Sequence, residues 1–161
     1  MAILNRLPTK DRLKTWGMEV DDKCCLCQRE DETREHLFIG CDYSKEIWQK
    51  ILWMCRIYRG VKNWSEELRW AVSKLKGKAL IAIILRLAWN ASIYQIWKEW
   101  NSKMFQHKEE KTTQVLEHIK DAVRLRLQGL SRIAADPAAI RDAYIYGCKK
   151  QLNCCIVAEF C

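Results

Sequence analysis

The chain has 161 residues, 49% of them hydrophobic, and a formal net charge of +8 from 28 Lys and Arg against 20 Asp and Glu. That length fits one domain with a real core, and the composition excludes a disordered or low-complexity chain. Residues 1–20 hold Arg6, Lys10, Asp11, Arg12 and Lys14 with no apolar run or small-residue cleavage site, so the nine cysteines point to a reducing, intracellular compartment, nucleus or cytoplasm, with thiols and metal ligands in place of disulfides.

In chain order, Thr9 after Leu7-Pro8 is the predicted cap of a short basic helix that passes through Leu13 and Trp16 and stops at Gly17. Next comes Cys24-x2-Cys27-x8-His36-x4-Cys41. Two thiolates on one tight turn reach the same metal without backbone strain, and a second turn or helix start brings His36 and Cys41 to it. Cys25 competes with Cys24, but Cys25 and Cys27 leave only one residue between them, a poorer bite. The set Cys24, Cys27, His36 and Cys41 has four nitrogen or sulfur donors and no open position, which is the pattern of structural Zn2+. Any strand content is expected to be a short ribbon framing the metal.

Beyond the knuckle, Asp42 or Ser44 is the predicted cap of a helix burying Ile47, Trp48, Ile51, Leu52 and Cys55 and ending before Gly60. Leu37 and Phe38 are expected to anchor the knuckle on this helix through Ile47 and Trp48. Ser65 is read as the cap of the next, with Leu68, Ala71, Val72 and Leu75 inward, Gly77 beyond its end, and Trp53 and Trp70 flanking the core. Residues 79–97 form the most apolar run and continue through Trp100 and Phe105. About 20 apolar residues suffice to span a bilayer, but Arg86 and Asn90 sit mid-run, and a central Arg costs about 2.5 to 3.5 kcal/mol there, so a buried bundle helix is the reading and a membrane is not an expected partner. Lys108 to Lys111 breaks the helix. An amphipathic stretch follows with Val115, Leu116, Ile119, Val123 and Leu127 inward, ended by Gly129. A last helix is predicted from Asp136-Pro137 through Ile140, Ala143 and Tyr144. Cys148, Cys154, Cys155 and Cys161 lack a Cys-x2-Cys bite or a histidine and read as an apolar tail. The expected fold is therefore mainly α, a small CCHC zinc knuckle followed by a helical bundle, divided as 1–42, 43–128 and 129–161.

Charge is segregated along the chain. Residues 24–42 carry two basic against five acidic side chains, whereas residues 43–97 hold ten Lys or Arg against three Glu. Clustered cations attract phosphate. The candidate contacts are Lys45, Lys50, Arg56, Arg59, Lys62, Arg69, Lys74, Lys76 and Lys78, with an exposed tryptophan, Trp53 or Trp64, to stack on a base. Catalysis is not expected: Asp21-Asp22 and Glu30-Asp31-Glu32 read as solvated loops, and His107 and His118 stand without a nucleophile at readable spacing.

The strings Ile3-Leu4-Asn5-Arg6-Leu7-Pro8-Thr9-Lys10-Asp11-Arg12-Leu13, Cys24-Cys25-Leu26-Cys27, Glu32-Thr33-Arg34-Glu35-His36-Leu37-Phe38 with Cys41, and Ile47-Trp48 together resemble the zinc-binding module that follows the reverse transcriptase domain in plant non-LTR (LINE-type) retrotransposons. Ser92 to Asn101 is similar to the helical tract after the knuckle, so the resemblance extends over residues 2–128. It implies zinc on the same four ligands and a role in handling an RNA template. The family's upstream basic, aromatic stretch, the polymerase and the endonuclease have no counterpart here, as in a standalone fragment of a transposon protein with a divergent tail. The alternative expectation is a domesticated protein-interaction or self-association module in which zinc is purely structural.

Overall fold

The computed structural model describes residues 2, 4, 6–77 and 79–133. The last helix expected from Asp136 and the cysteines from Cys148 onward lie outside the described residues. Among the described residues there are five α-helices and no strand: α1 (Lys10–Thr15), α2 (Asp42–Met54), α3 (Trp64–Lys74), α4 (Leu80–Gln106) and α5 (Thr112–Ile133), with one wide π-helical turn at His36–Gly40.

Helix ends follow local chemistry. Thr9 stands at the N-cap of α1, and Gly17 takes the left-handed φ of 83° that lets the chain leave it. The cap of α3 is Asn63 and not Ser65: its side-chain oxygen accepts the Glu66 N–H at 3.0 Å, while its amide donates to the Glu66 carboxylate at 3.0 Å. Both bonds come from the Asn63 side chain, which caps the helix start and holds the Glu66 carboxylate beside it. Neither Asp42 nor Ser44 caps α2. Cys41 is at the N-cap, Asp42 is the first helical residue, and the Ser44 hydroxyl donates to the Leu37 carbonyl at 2.5 Å. At the far end of α2 the Ile57 N–H reaches the Leu52 carbonyl at 2.8 Å and the Arg56 N–H reaches that of Trp53 at 2.9 Å. This is a Schellman closure, with Arg56 at φ 59° in the left-handed position where glycine is usual. Gly129 does not stop α5, which runs on to Ile133; an interior glycine costs only about 1 kcal/mol.

Helix α2 buries Ile47, Trp48, Ile51, Leu52 and Cys55, and α5 buries Val115, Ile119 and Val123, the faces their spacing predicts. The core side of α3 is different: Trp64, Glu67 and Ala71 are buried and Val72 is 53% exposed. Trp53, expected to flank the core, is also exposed, whereas Trp70 is partly buried and meets Trp48 edge-on at 6.5 Å. Trp48 packs edge-on against Trp89 of α4 at 4.9 Å.

Glu67 explains how α3 turns a carboxylate inward. Its fully buried oxygens accept the Trp48 indole N–H at 3.0 Å, the Lys62 N–H at 2.7 Å and a bidentate pair from Arg59 at 2.6 and 2.7 Å. Burial acts to raise its pKa, but the Arg59, Lys62 and Trp48 donors outweigh it and hold the group below its ordinary 4.5.

By length and composition α4 is long and apolar enough to cross a membrane. In the fold it packs chiefly on α5, touches α2 and the wide turn, and leaves Arg86, Asn90, Tyr94 and Lys98 as its outward stripe. Arg86, the charge in mid-run, donates to the Leu75 carbonyl at 3.1 Å and closes the C-terminal end of α3.

Candidate metal centre

Two short turns build the site. In the first, the Gln28 N–H returns to the Cys24 carbonyl at 2.8 Å. Gln28 sits at φ 58°, held there by its side-chain amide donating to the Cys25 carbonyl at 3.0 Å. The base of this loop is pinned by Cys24 N–H to Glu30 O at 2.8 Å and Glu32 N–H to Asp22 O at 2.7 Å. The expected ribbon thus reduces to one antiparallel bridge, Lys23 with Asp31. In the second turn the Thr33 hydroxyl accepts the His36 N–H at 3.1 Å, and the Cys41 N–H closes the wide turn onto the His36 carbonyl at 2.6 Å. A turn of that width places His36 and Cys41 on the same side.

The four sequence-predicted ligands converge. The donor atoms of Cys24, Cys27, His36 and Cys41 lie within 4.8 Å of one another, with Cys24 Sγ 4.0 Å from Cys41 Sγ and Cys27 Sγ 3.3 Å from His36 Nε2. Tetrahedral zinc with Zn–S near 2.3 Å needs an S···S separation of about 3.8 Å, so the donor set fits. Cys25 is outside the cluster. Its thiol is buried beside a cleft lined by Lys10, Gln28 and Lys103, and burial, with Glu32 adding to it, keeps it protonated.

Electrostatics call for a cation. The Cys41 thiol hydrogen-bonds the Cys24 sulfur, which pulls the Cys24 pKa down to about 6 and drives that of Cys41 up. For Cys27 burial acts upward, but N–H donors from Glu30 and Arg29 and the His36 contact bring it down on balance. Three thiolates this close repel each other, and a divalent ion is what allows all three to ionise together. The Glu30 carboxylate lies 3.2 Å from His36 Nδ1, the ring nitrogen that faces away from Cys27.

The site is tied into the core. Leu37, Phe38 and Ile39 project from the wide turn and are at most 3% exposed; Phe38 meets Trp64 at 6.3 Å. Lys103 of α4 donates to the Leu26 carbonyl at 3.3 Å.

Sequence reasoning missed one participant. Glu32, expected in a solvated loop, is 2% exposed and accepts three N–H groups, whereas Asp21, Asp22, Glu30 and Asp31 are exposed as expected. No local pattern marks it, because one of its donors, Trp100, is 68 residues away.

The remaining candidates divide. Lys45, Arg56, Lys62, Arg69, Lys74 and Lys76 are exposed, and Trp53 is 53% exposed. Lys50 is partly covered and pairs with Glu46 at 2.5 Å. Arg59 is committed to Glu67, its guanidinium 4.1 Å from the Trp70 ring centre. Trp64, offered as a stacking surface, is buried at 3% beneath the wide turn. Lys78 lies outside the described residues.

No curated protein and no solved structure matches the chain. Residues 1–48, which hold all four donors and stop at Trp48 well before residue 128, match the family model described as zinc-binding in reverse transcriptase. Donor geometry and family match agree: the amino-terminal part of this chain is a zinc-binding module related to reverse transcriptases, and zinc is its cofactor.

Proposed function

We propose that the protein is a non-catalytic nucleic-acid-binding module in which the zinc knuckle fixes the shape and the α2–α3 side meets the strand, RNA in preference to DNA. The observation that carries the reading is the exposed set Lys45, Arg56, Lys62, Arg69, Lys74 and Lys76 with Trp53 uncovered at the end of α2. Cations of this kind meet phosphates, and an uncovered indole stacks on an unpaired base. The preference for RNA rests on the kinship with reverse transcriptases. Four protein donors close the metal site to water or substrate, which supports a structural and not a catalytic ion.

The test is fluorescence anisotropy with a single-stranded RNA oligonucleotide across salt. Six phosphate contacts give a slope of log K against log salt of about −4, a loss of a few hundredfold between 50 and 200 mM. Trp53→Ala removes one stacking partner, about 1 to 3 kcal/mol. Binding that is undetectable, or indifferent to salt and to Lys62→Glu with Arg69→Glu, overturns the reading. The exposed Trp16, Met18 and Tyr94 favour a second reading, a protein-interaction module. Nuclease-resistant pull-down with concentration-dependent sedimentation is its signature.

A further inference from the structure

We propose that Glu32 makes metal occupancy of the knuckle and docking of α4 a single cooperative event. It is the positioning residue through which the zinc site is held and through which the long helix senses it.

The buried carboxylate collects donors from three separated segments. One oxygen accepts the Lys10 N–H at 3.0 Å and the Trp100 indole N–H at 2.7 Å; the other accepts the Cys25 N–H at 3.2 Å. The Cys25 N–H belongs to the peptide that joins it to the ligand Cys24, so this bond sets the pitch of the Cys24–Cys27 turn. Lys10 N–H is in the first turn of α1, whose side chain reinforces the same place: its ammonium binds Asp21 at 2.8 Å and the Lys23 carbonyl at 2.7 Å, directly before Cys24. Trp100 comes from α4, where it stacks on Trp97 at 4.5 Å and is itself 1% exposed. Thr33, the next residue, holds the His36 turn, so the segment that seats Glu32 also feeds the second ligand pair.

Each donor is neutral, and the Lys10 ammonium is engaged elsewhere. The carboxylate is therefore held on three N–H groups, one of them in the turn that carries the ligand Cys24. Such charge-assisted bonds are strong and geometrically demanding. When a divalent ion enters, the Cys25 bond on one Glu32 oxygen is held in register, and Trp100 is seated on the other oxygen of the same carboxylate. By linkage the effect runs both ways: whatever seats Trp100 tightens the metal, and loss of the metal loosens α4.

Glu32→Gln tests this with little change of shape. An amide that keeps its oxygen on Lys10 and Trp100 turns an NH2 group toward the Cys25 N–H, two donors face to face. Trp100→Phe leaves an aromatic ring in place, removes the indole donor on the α4 side at the cost of some buried ring volume, and serves if the first variant does not fold. Zinc affinity is measured by competition with a chromophoric chelator, and melting is recorded for zinc-loaded and chelated protein. The expected result is a loss of zinc affinity of about 10- to 100-fold for Glu32→Gln, a smaller loss for Trp100→Phe, and in both a narrower gap in melting temperature between loaded and chelated forms. In the parent, stripping zinc should raise amide exchange in α4 around residues 97–104. A purely structural role lowers both melting temperatures equally and leaves zinc affinity within about twofold of the parent; that outcome overturns the proposal. Loss of affinity in Glu32→Gln alone, with Trp100→Phe unchanged, overturns the link to α4. A parent chain that binds no zinc overturns the metal site itself, and this inference with it.

Discussion

Replacing Glu67 is the sharpest test of how the bundle holds together. Truncation to alanine strands the Trp48 indole N–H and the Lys62 N–H in the core and leaves the Arg59 guanidinium, with its side chain 24% exposed, without its partner carboxylate. Breaking a buried, hydrogen-bonded pair on one side costs about 3 to 5 kcal/mol, and each orphaned buried donor about 1 to 3 kcal/mol on its own. These overlap, so about 4 kcal/mol is the expected loss for Glu67→Ala and about 2 kcal/mol for Glu67→Gln, which keeps an acceptor but not the charge. With a urea slope of about 2 kcal/mol/M, the alanine midpoint falls by about 2 M. The pH dependence has a defined sign. The folded-state pKa of Glu67 lies below its ordinary 4.5, so its contribution is complete above that value and is lost as pH falls through the folded one. Thiolate protonation acts on parent and Glu67→Gln alike, so the difference between their stability curves isolates this carboxylate and should shrink in acid. A midpoint shift below about 0.5 M for Glu67→Ala, about 1 kcal/mol at that slope, would refute a sealed carboxylate beneath Trp48.

Three further substitutions probe a buried position, an exposed one and a strained one. Ile119→Ala, at a fully buried site on α5, should cost about 2 to 5 kcal/mol by chemical denaturation. Val72→Lys should stay within about 0.5 kcal/mol of the parent, because the side chain faces water despite its place in the apolar spacing of α3. Arg56→Gly should raise stability by about 1 kcal/mol by relieving an L-residue at φ 59°, visible as a higher urea midpoint.

Much of this was legible from spacing. The ligand set follows a short-range grammar, and the buried faces of α2 and α5 are set by helical periodicity, a property of each helix alone. Asn63 was legible too: Asn followed three residues later by Glu is a helix-start signature, and a reading that started from the nearest serine passed over it. The buried carboxylates belong to another category. Glu32 and Glu67 look like surface residues because what buries them is donors from elsewhere in the fold, Trp100 for one and Trp48 with Arg59 for the other. Trp53 and Trp64 differ for the same reason. Both sit in amphipathic sequence, but only Trp64 lies where Phe38 and Trp89 close over it, at 6.3 Å each.

Metal content bears most directly on the whole account. Protein purified without added metal or chelator should carry about one zinc per chain, lost in His36→Ala, and chelation should lower the melting temperature of the parent, since binding energy at a structural site is folding energy. Less than about a tenth of an equivalent of zinc after metal reconstitution, with melting unmoved by chelator, would contradict it.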